Sequence, residues 1–506
     1  MNKSTVLAKI KENRIPLILS LIHWIITFFT DRMVFTVAPL SQPLQYIPCK
    51  ILLLLLLFFC WRAILKPSEN TKKILKFALL YFIPIIAVLI FKLPEGFLSN
   101  DESLIFAEAS ALSNYTWFSY LTTWYYIICM MLIPSWLGPI LVKVAIQVLV
   151  AGYCVFRLSS YLDFRYGKFL YLPFLIPPVL AYTTSAHRIP VYFLLYIFLI
   201  FSLLMDKVEK KAISLSKLFW LLPLGAVLTQ WRTEGIYLAI SLPILLLLSY
   251  QELRKKKSCL LLILFSLLAQ YIVSVPQNGL LPSRMDDKAN NRMAPFYAYT
   301  VTNMYRNGLN LEENAEDLEK IDRYLDLSIV EDINRELGDI NYEDVLILYY
   351  PGFTGVRENA TGEDYLAYTE GCKNLFFKNP GVFFRTRIGA LHYSAMPYRI
   401  EWTQGGAKGL ALFLVSIVKT LAYCLYPALL LLVILALYSL IKRRWFTFFM
   451  TGGLCGHFLI VFVLAPASYF KYYFPIYMTM YFYLALILIS AVRNHFHPEE
   501  KVSFLV

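Results

Sequence analysis

The sequence predicts an all-α polytopic membrane protein of about twelve transmembrane helices, with juxtamembrane helices and one α-rich extracytoplasmic domain in which an α/β arrangement stays open. Three observations carry this. Of 506 residues, 58% are hydrophobic and 16% charged, too little polar surface to clothe a soluble globule. The apolar runs have the length, roughly 20 residues, that carries a helix across a hydrocarbon core of about 30 Å, and none shows the dyad alternation of a membrane barrel. The charges sort by loop, with Lys and Arg gathered on one side of the runs and a block of acids on the other.

Taken in order, spans fall at 15–31, 49–66, 74–93, 138–157, 169–185, 189–206, 217–231, 234–251, 258–275, 421–441, 445–464 and 473–492. Lys3, Lys9, Lys11 and Arg14 precede the first, and no small-residue cleavage motif follows it, so that span is expected to be kept. With both termini cytoplasmic, 25 of the 47 cations fall in inside loops, among them Arg62, Lys72, Arg157, Lys217, Lys256 and Arg443. The stretch 276–408 differs in kind: it holds 20 of the 34 acids against 14 cations, so the overall charge of +13 belongs to membrane topology. No basic face interleaved with aromatics suggests nucleic acid.

Within 276–408, Leu318, Ile321, Leu325 and Ile329 recur near a helical period among acids and predict one or two amphipathic helices over 310–337, while 345–350 reads as a strand or a short buried helix. Residues 117–136 are apolar enough to span, yet counting them would move Arg157, Arg165 and Lys168 outside. Rich in Trp and Tyr, they read as a juxtamembrane or re-entrant helix, and 380–397 as a second interfacial helix. The chain thus divides into N-terminal transmembrane helices (1–93), a first large external loop (94–137), central transmembrane helices (138–275), an extracytoplasmic soluble domain (276–408) and C-terminal transmembrane helices with a cytoplasmic tail (409–506). The eight cysteines and six histidines show no metal-ligand spacing, so no protein-built metal cage is expected, and dependence on a divalent cation stays open.

Setting aside the inside loops and the acidic stretch leaves eight cations, Arg32, Lys50, Lys92, Lys143, Arg188, Arg232, Lys419 and Lys471, in spans or at their outer ends. An ion there is costly and more often has a task, although long side chains near helix ends also snorkel. Arg232 lies with Glu234 in an Arg-x-Glu-Gly break between two apolar halves, either a solvated hairpin turn or the lining of a wet cavity. Lys471 lies in a short turn crowded with aromatics between Pro466 and Pro475, which also reads as an interface belt. Asp101 and Glu102 are adjacent in the first long outside loop. On a helix they diverge by about 100°, so one at most faces a site. Ser99 and Glu102 also fit a capping box, which would hold such a carboxylate well.

This acidic motif, the aromatic juxtamembrane helices after it, the Arg-x-Glu-Gly break, the basic-aromatic turn before the last span and one large inserted domain together resemble the GT-C superfamily of membrane glycosyltransferases, the bacterial members that use polyprenyl-phosphate sugars above all. The resemblance implies transfer of a sugar from a polyprenyl-phosphate carrier to a hydroxyl of a cell-envelope glycan, lipid or protein, at the outer face of the plasma membrane. It casts Asp101 as general base, with Glu102 the fallback. Arg232 and Lys471 become the clamp on the lipid phosphate, with Arg188 beside His187 a further contributor and Glu234 in the same group. Two extra spans precede the acidic loop, a departure from many members. A lipid-linked polysaccharide polymerase, drawing on Arg385 and Arg387, is the nearest rival. A transporter or flippase is the rival from another class, although no internal repeat supports it.

Overall fold

The computed structural model describes residues 13–92, 100–114, 118–277, 293–337, 355–400 and 406–506. Among them the chain is helical, with no strand, and an isolated bridge joins Leu325 and Val356. Nine segments of the described residues are long and apolar enough to cross a membrane, and the protein is a multi-pass, membrane-embedded helical protein.

The chain forms two compact units. The first comprises Met1–Arg284, Val433–Gly453 and Met478–Val506. It contains α1 (Arg14–Thr30), α2 (Pro43–Leu65), α3 (Glu69–Lys92), α4 (Asn100–Ser110), α5 (Tyr120–Leu132), α6 (Gly138–Leu162), α7 (Ile189–Val208), α8 (Leu215–Trp231), α9 (Leu238–Ser249) and α10 (Lys256–Val275). Prolines in the first turns of α2, α6 and α7 start those helices where the missing N–H costs nothing. The apolar side chains of α10 are almost all exposed, Leu262 alone being buried, which is the surface a lipid-facing helix presents. α3 and α6 cross closely: a Cβ on Gly152 would stand 2.6 Å from the Ala78 backbone nitrogen.

The span expected at 169–185 is instead a 3₁₀ turn, Lys168–Tyr171, and two short helices, Leu172–Leu175 and Pro177–Thr183. Pro173, Pro177 and Pro178 remove the donors a continuous helix would need. The 117–136 stretch holds only the 13-residue α5, shorter than a span.

The two ends of α7 differ in chemistry. At its end, Asp206 receives the Lys217 ammonium, Arg157 at 3.3 Å and the Tyr250 hydroxyl at 2.5 Å, and Glu209 takes Arg157 at 2.8 Å. These cations are ones the sequence assigned to inside loops. Its start, about 30 Å away by helix length, carries His187 and Arg188.

The second unit comprises Met285–Leu432 and Leu454–Tyr477. Its helices are α11 (Ala294–Arg306), α12 (Ala315–Asp322), α13 (Leu327–Leu337), α14 (Gly362–Lys378), α15 (Pro380–Ala395) and α16 (Gly406–Ala422). The remaining helices, α17 (Tyr426–Ile441), α18 (Trp445–Leu464) and α19 (Phe474–Phe496), are divided between the units. α12 and α13 are the amphipathic pair expected over 310–337, and their apolar faces, including Leu318, Ile321 and Val330, join a core with Tyr299, Tyr368 and Cys372. α14 begins with a capping box in which Asp364 accepts from the Thr361 backbone at 2.9 Å and its hydroxyl at 2.7 Å. The 345–350 stretch lies outside the described residues.

Candidate functional site

The first unit gathers six of the seven singled-out residues around the starts of α4 and α7 and the end of α8. Glu102, in the first turn of α4, is 1% exposed. Its Oε2 lies 3.2 Å from His187 Nδ1, and its Oε1 accepts from the Arg188 backbone N–H at 3.4 Å. Buried this way, a carboxylate needs such partners. The Ser99 end of the expected capping box lies outside the described residues.

The segment 185–188 is also held from its other side. Lys143, 1% exposed inside the apolar α6, donates to the carbonyls of Ser185 and His187, the latter at 2.6 Å, while the Tyr126 hydroxyl donates to the Ala186 carbonyl at 2.5 Å. Three consecutive carbonyls therefore point at buried donors, and the His187 side chain and Arg188 N–H turn toward Glu102. The Arg188 guanidinium stands 4.0 Å over the Phe118 ring, a cation–π contact. Its Nη1 is buried with no hydrogen-bond partner among the described residues.

Asp101 is half-buried beside this group. It is near enough to Tyr126 for its charge, like that of Glu102, to act on that hydroxyl. One residue apart on α4, the two acids thus differ in setting: Glu102 is committed to His187 and Arg188, and Asp101 reaches partway to the surface.

Arg232 and Glu234 form a buried ion pair within the turn that follows α8. Gly235 permits that turn, because a Cβ there would stand 2.5 Å from the Leu228 carbonyl oxygen and 3.1 Å from that of Thr229. Two bridges connect the turn to the Glu102 group. Tyr125, adjacent to Tyr126 on α5, packs edge-on against Trp231 with ring centroids 5.8 Å apart. Tyr192, one turn along α7 from Arg188 and so on the same face, lies where the charges of both Glu234 and Arg232 act on its hydroxyl.

Lys471 belongs to the second unit, on the 3₁₀ turn Phe470–Tyr473, where its ammonium stands 4.6 Å over the Tyr469 ring. In the same unit Arg387 is engaged by the carbonyls of Phe462 at 2.6 Å and Ala465 at 3.0 Å at the end of α18, and Arg385 donates to the Asn307 carbonyl at 3.2 Å. Among the described residues no group of three or more His, Cys, Asp or Glu side chains could hold a metal ion.

Sequence reasoning singled out Glu102 and His187 without pairing them. It counted Lys143 among eight cations in spans or at their outer ends without giving it a role, and did not single out Tyr126. A lone lysine inside an apolar helix was the signal available for the first, and a tyrosine in an aromatic stretch gave none for the second.

The arrangement offers a half-exposed carboxylate, a buried carboxylate–imidazole pair and two arginines at one end of a helix bundle. It can accept a proton and neutralise an anion in one place. Comparison with family models, with curated proteins and with solved structures finds no match for this chain.

Proposed function

We propose that the protein is an integral membrane glycosyltransferase of GT-C type, moving a sugar from a polyprenyl-phosphate carrier to an acceptor hydroxyl at the outer face of a bacterial plasma membrane. The observation that carries the reading is the pairing of a half-exposed Asp101 with a neighbouring, internally connected group in which Glu102 and His187 are buried and Arg188 is partly exposed. In the reaction the acceptor oxygen bonds to the anomeric carbon, its proton passes to Asp101, and the bond from that carbon to the phosphate oxygen breaks. The leaving polyprenyl phosphate carries the electron pair away as an anion. Arg188 and Arg232 are the fixed cations that stabilise it, and such preorganised charge acts strongly where water is excluded. Glu102 holds the His187–Arg188 segment in place and Glu234 holds Arg232.

The test is sugar transfer in proteoliposomes with a polyprenyl-phosphate sugar as donor. Asp101→Asn is expected to lower the rate by roughly 10² to 10⁴, the contribution of a positioned base, with expression and folding unchanged. Full activity in both Asp101→Asn and Glu102→Gln would remove the assignment.

A further inference from the structure

α15 is built inside out. Its inward face carries Thr386, Arg387, Ala390, Ser394 and Ala395, all buried, while Phe384 and Ile388, one turn apart, are 53% and 59% exposed. A helix on a solvated surface places its small and polar residues outward, and this one reverses the order.

The anchors of α15 fix its level. Near its middle, Arg387 Nε and Nη2 donate to the Phe462 and Ala465 carbonyls at 2.6 and 3.0 Å, at the end of α18. At its own end, the Ala395 carbonyl accepts from Leu425 N–H at 2.9 Å and His392 Nδ1 meets the Tyr426 hydroxyl at 2.9 Å, at the start of α17. α17 and α18 are consecutive apolar helices joined by the short turn 442–444, so the start of one and the end of the other lie on the same side. Arg387 and Ala395 are eight residues apart, about 12 Å along the helix, close to the roughly 8–10 Å between neighbouring helices. α15 therefore lies across the start of α17 and the end of α18, two helix ends on one side. α11 packs on its inward face, where the Arg387 guanidinium stands 5.8 Å from the Phe296 ring and 5.9 Å from that of Tyr299.

We infer that α15 is an interfacial helix whose Phe384–Ile388 stripe is sunk at the boundary of lipid headgroups and acyl chains, docking the acidic region onto the bilayer. Arg385 and His392 on the exposed side, and Arg399 just beyond, stand at headgroup level, where cations meet lipid phosphates. The apolar exposed face continues through Met396 and Ile400 toward α16, whose Leu410, Leu414 and Val418 are exposed in the same way. An aqueous protein partner would not account for that continuity with a second helix whose apolar side chains are exposed.

The experiment places the photo-crosslinking residue p-benzoylphenylalanine at Phe384 or Ile388 of the full chain in vesicles of phosphatidylcholine and phosphatidylglycerol, and reads adduct mass after irradiation. Lipid adducts are expected at both positions, as at Leu410 of α16, and none at the exposed Ser328 of α13. Adducts at Leu410 with none at Phe384 and Ile388, or crosslinks from those two to protein, would overturn the inference. The result is independent of whether the protein transfers sugar.

Discussion

The imidazole of His187 lies 3.2 Å from the Glu102 carboxylate, and the peptide N–H that follows it points to the same carboxylate from 3.4 Å. One buried acid thereby fixes both the ring and the backbone at the start of α7. Because Glu102 orients and does not face the surface, the two neighbouring acids are expected to fail differently when neutralised. Glu102→Gln should raise the donor KM roughly tenfold, the order of one charge-assisted hydrogen bond, while Asp101→Asn lowers kcat with little effect on donor KM. Steady-state kinetics on both variants, with donor varied, checks the split.

Lys143 supports the same segment from behind through the carbonyls of Ser185 and His187. Lys143→Met keeps the length of the side chain and loses both bonds. The loss should cost about 3 kcal/mol, given the worth of hydrogen bonds to charged groups, seen as a lowered midpoint in thermal unfolding of the detergent-solubilised protein. An unchanged midpoint would show that the segment holds its shape without the lysine.

At Gly235 the obstacle to a side chain is backbone, the carbonyl oxygens of Leu228 and Thr229. Gly235→Val therefore has to move the turn that carries Arg232 and Glu234, although neither charge is removed. Donor binding, followed by protection of the purified protein against thermal unfolding by polyprenyl phosphate, is expected to fall to the level of Arg232→Ala.

Asp31, just past α1, and Lys50 of α2 form a further buried ion pair, which the sequence did not disclose. Lys50 Nζ stands 2.8 Å from Asp31 Oδ2 and 2.7 Å from Thr27 Oγ1, and the Tyr46 hydroxyl donates to Asp31 at 2.5 Å, with Asp31 and Lys50 1% and 3% exposed. Removing one partner strands a buried charge, so Asp31→Leu or Lys50→Met alone should destabilise by about 3–5 kcal/mol, while the double replacement restores most of it. A denaturant series over the four proteins measures the coupling, and additive losses would refute it.

Acid should loosen the second unit. The Thr361 hydroxyl and backbone, then Arg323, hold the Asp364 carboxyl below its ordinary range, and the Ser328 hydroxyl does the same for Asp326 with help from Arg357 against a partial burial cost. A depressed folded pKa contributes stability that is complete above the unfolded value, about 4, and is lost as pH falls through the folded one. Amide exchange at the starts of α13 and α14, corrected for its intrinsic pH dependence, should rise as the pH falls below about 4. Arg323→Ala should weaken protection at neutral pH and flatten that acid loss.

Membrane embedding, many spans and the amphipathic pair at 310–337 were legible in the sequence, because hydropathy and periodicity are local and the bilayer imposes a fixed length on both. The three prolines of 169–185 were legible too, but run length outweighed them there, and the structure divides that stretch into a 3₁₀ turn and two short helices. Placing Asp101 and Glu102 on a helix start, and Arg232 with Glu234 at a break, also followed from neighbours in the chain. What only the tertiary structure decided is which of these meet. Glu102 finds His187 and Lys143 finds the carbonyls of Ser185 and His187 across helices distant in sequence, and Lys50 finds Asp31 across the turn between α1 and α2. Burial of an ion demands a partner without specifying one, and the choice rests with the packing that brings helix ends together.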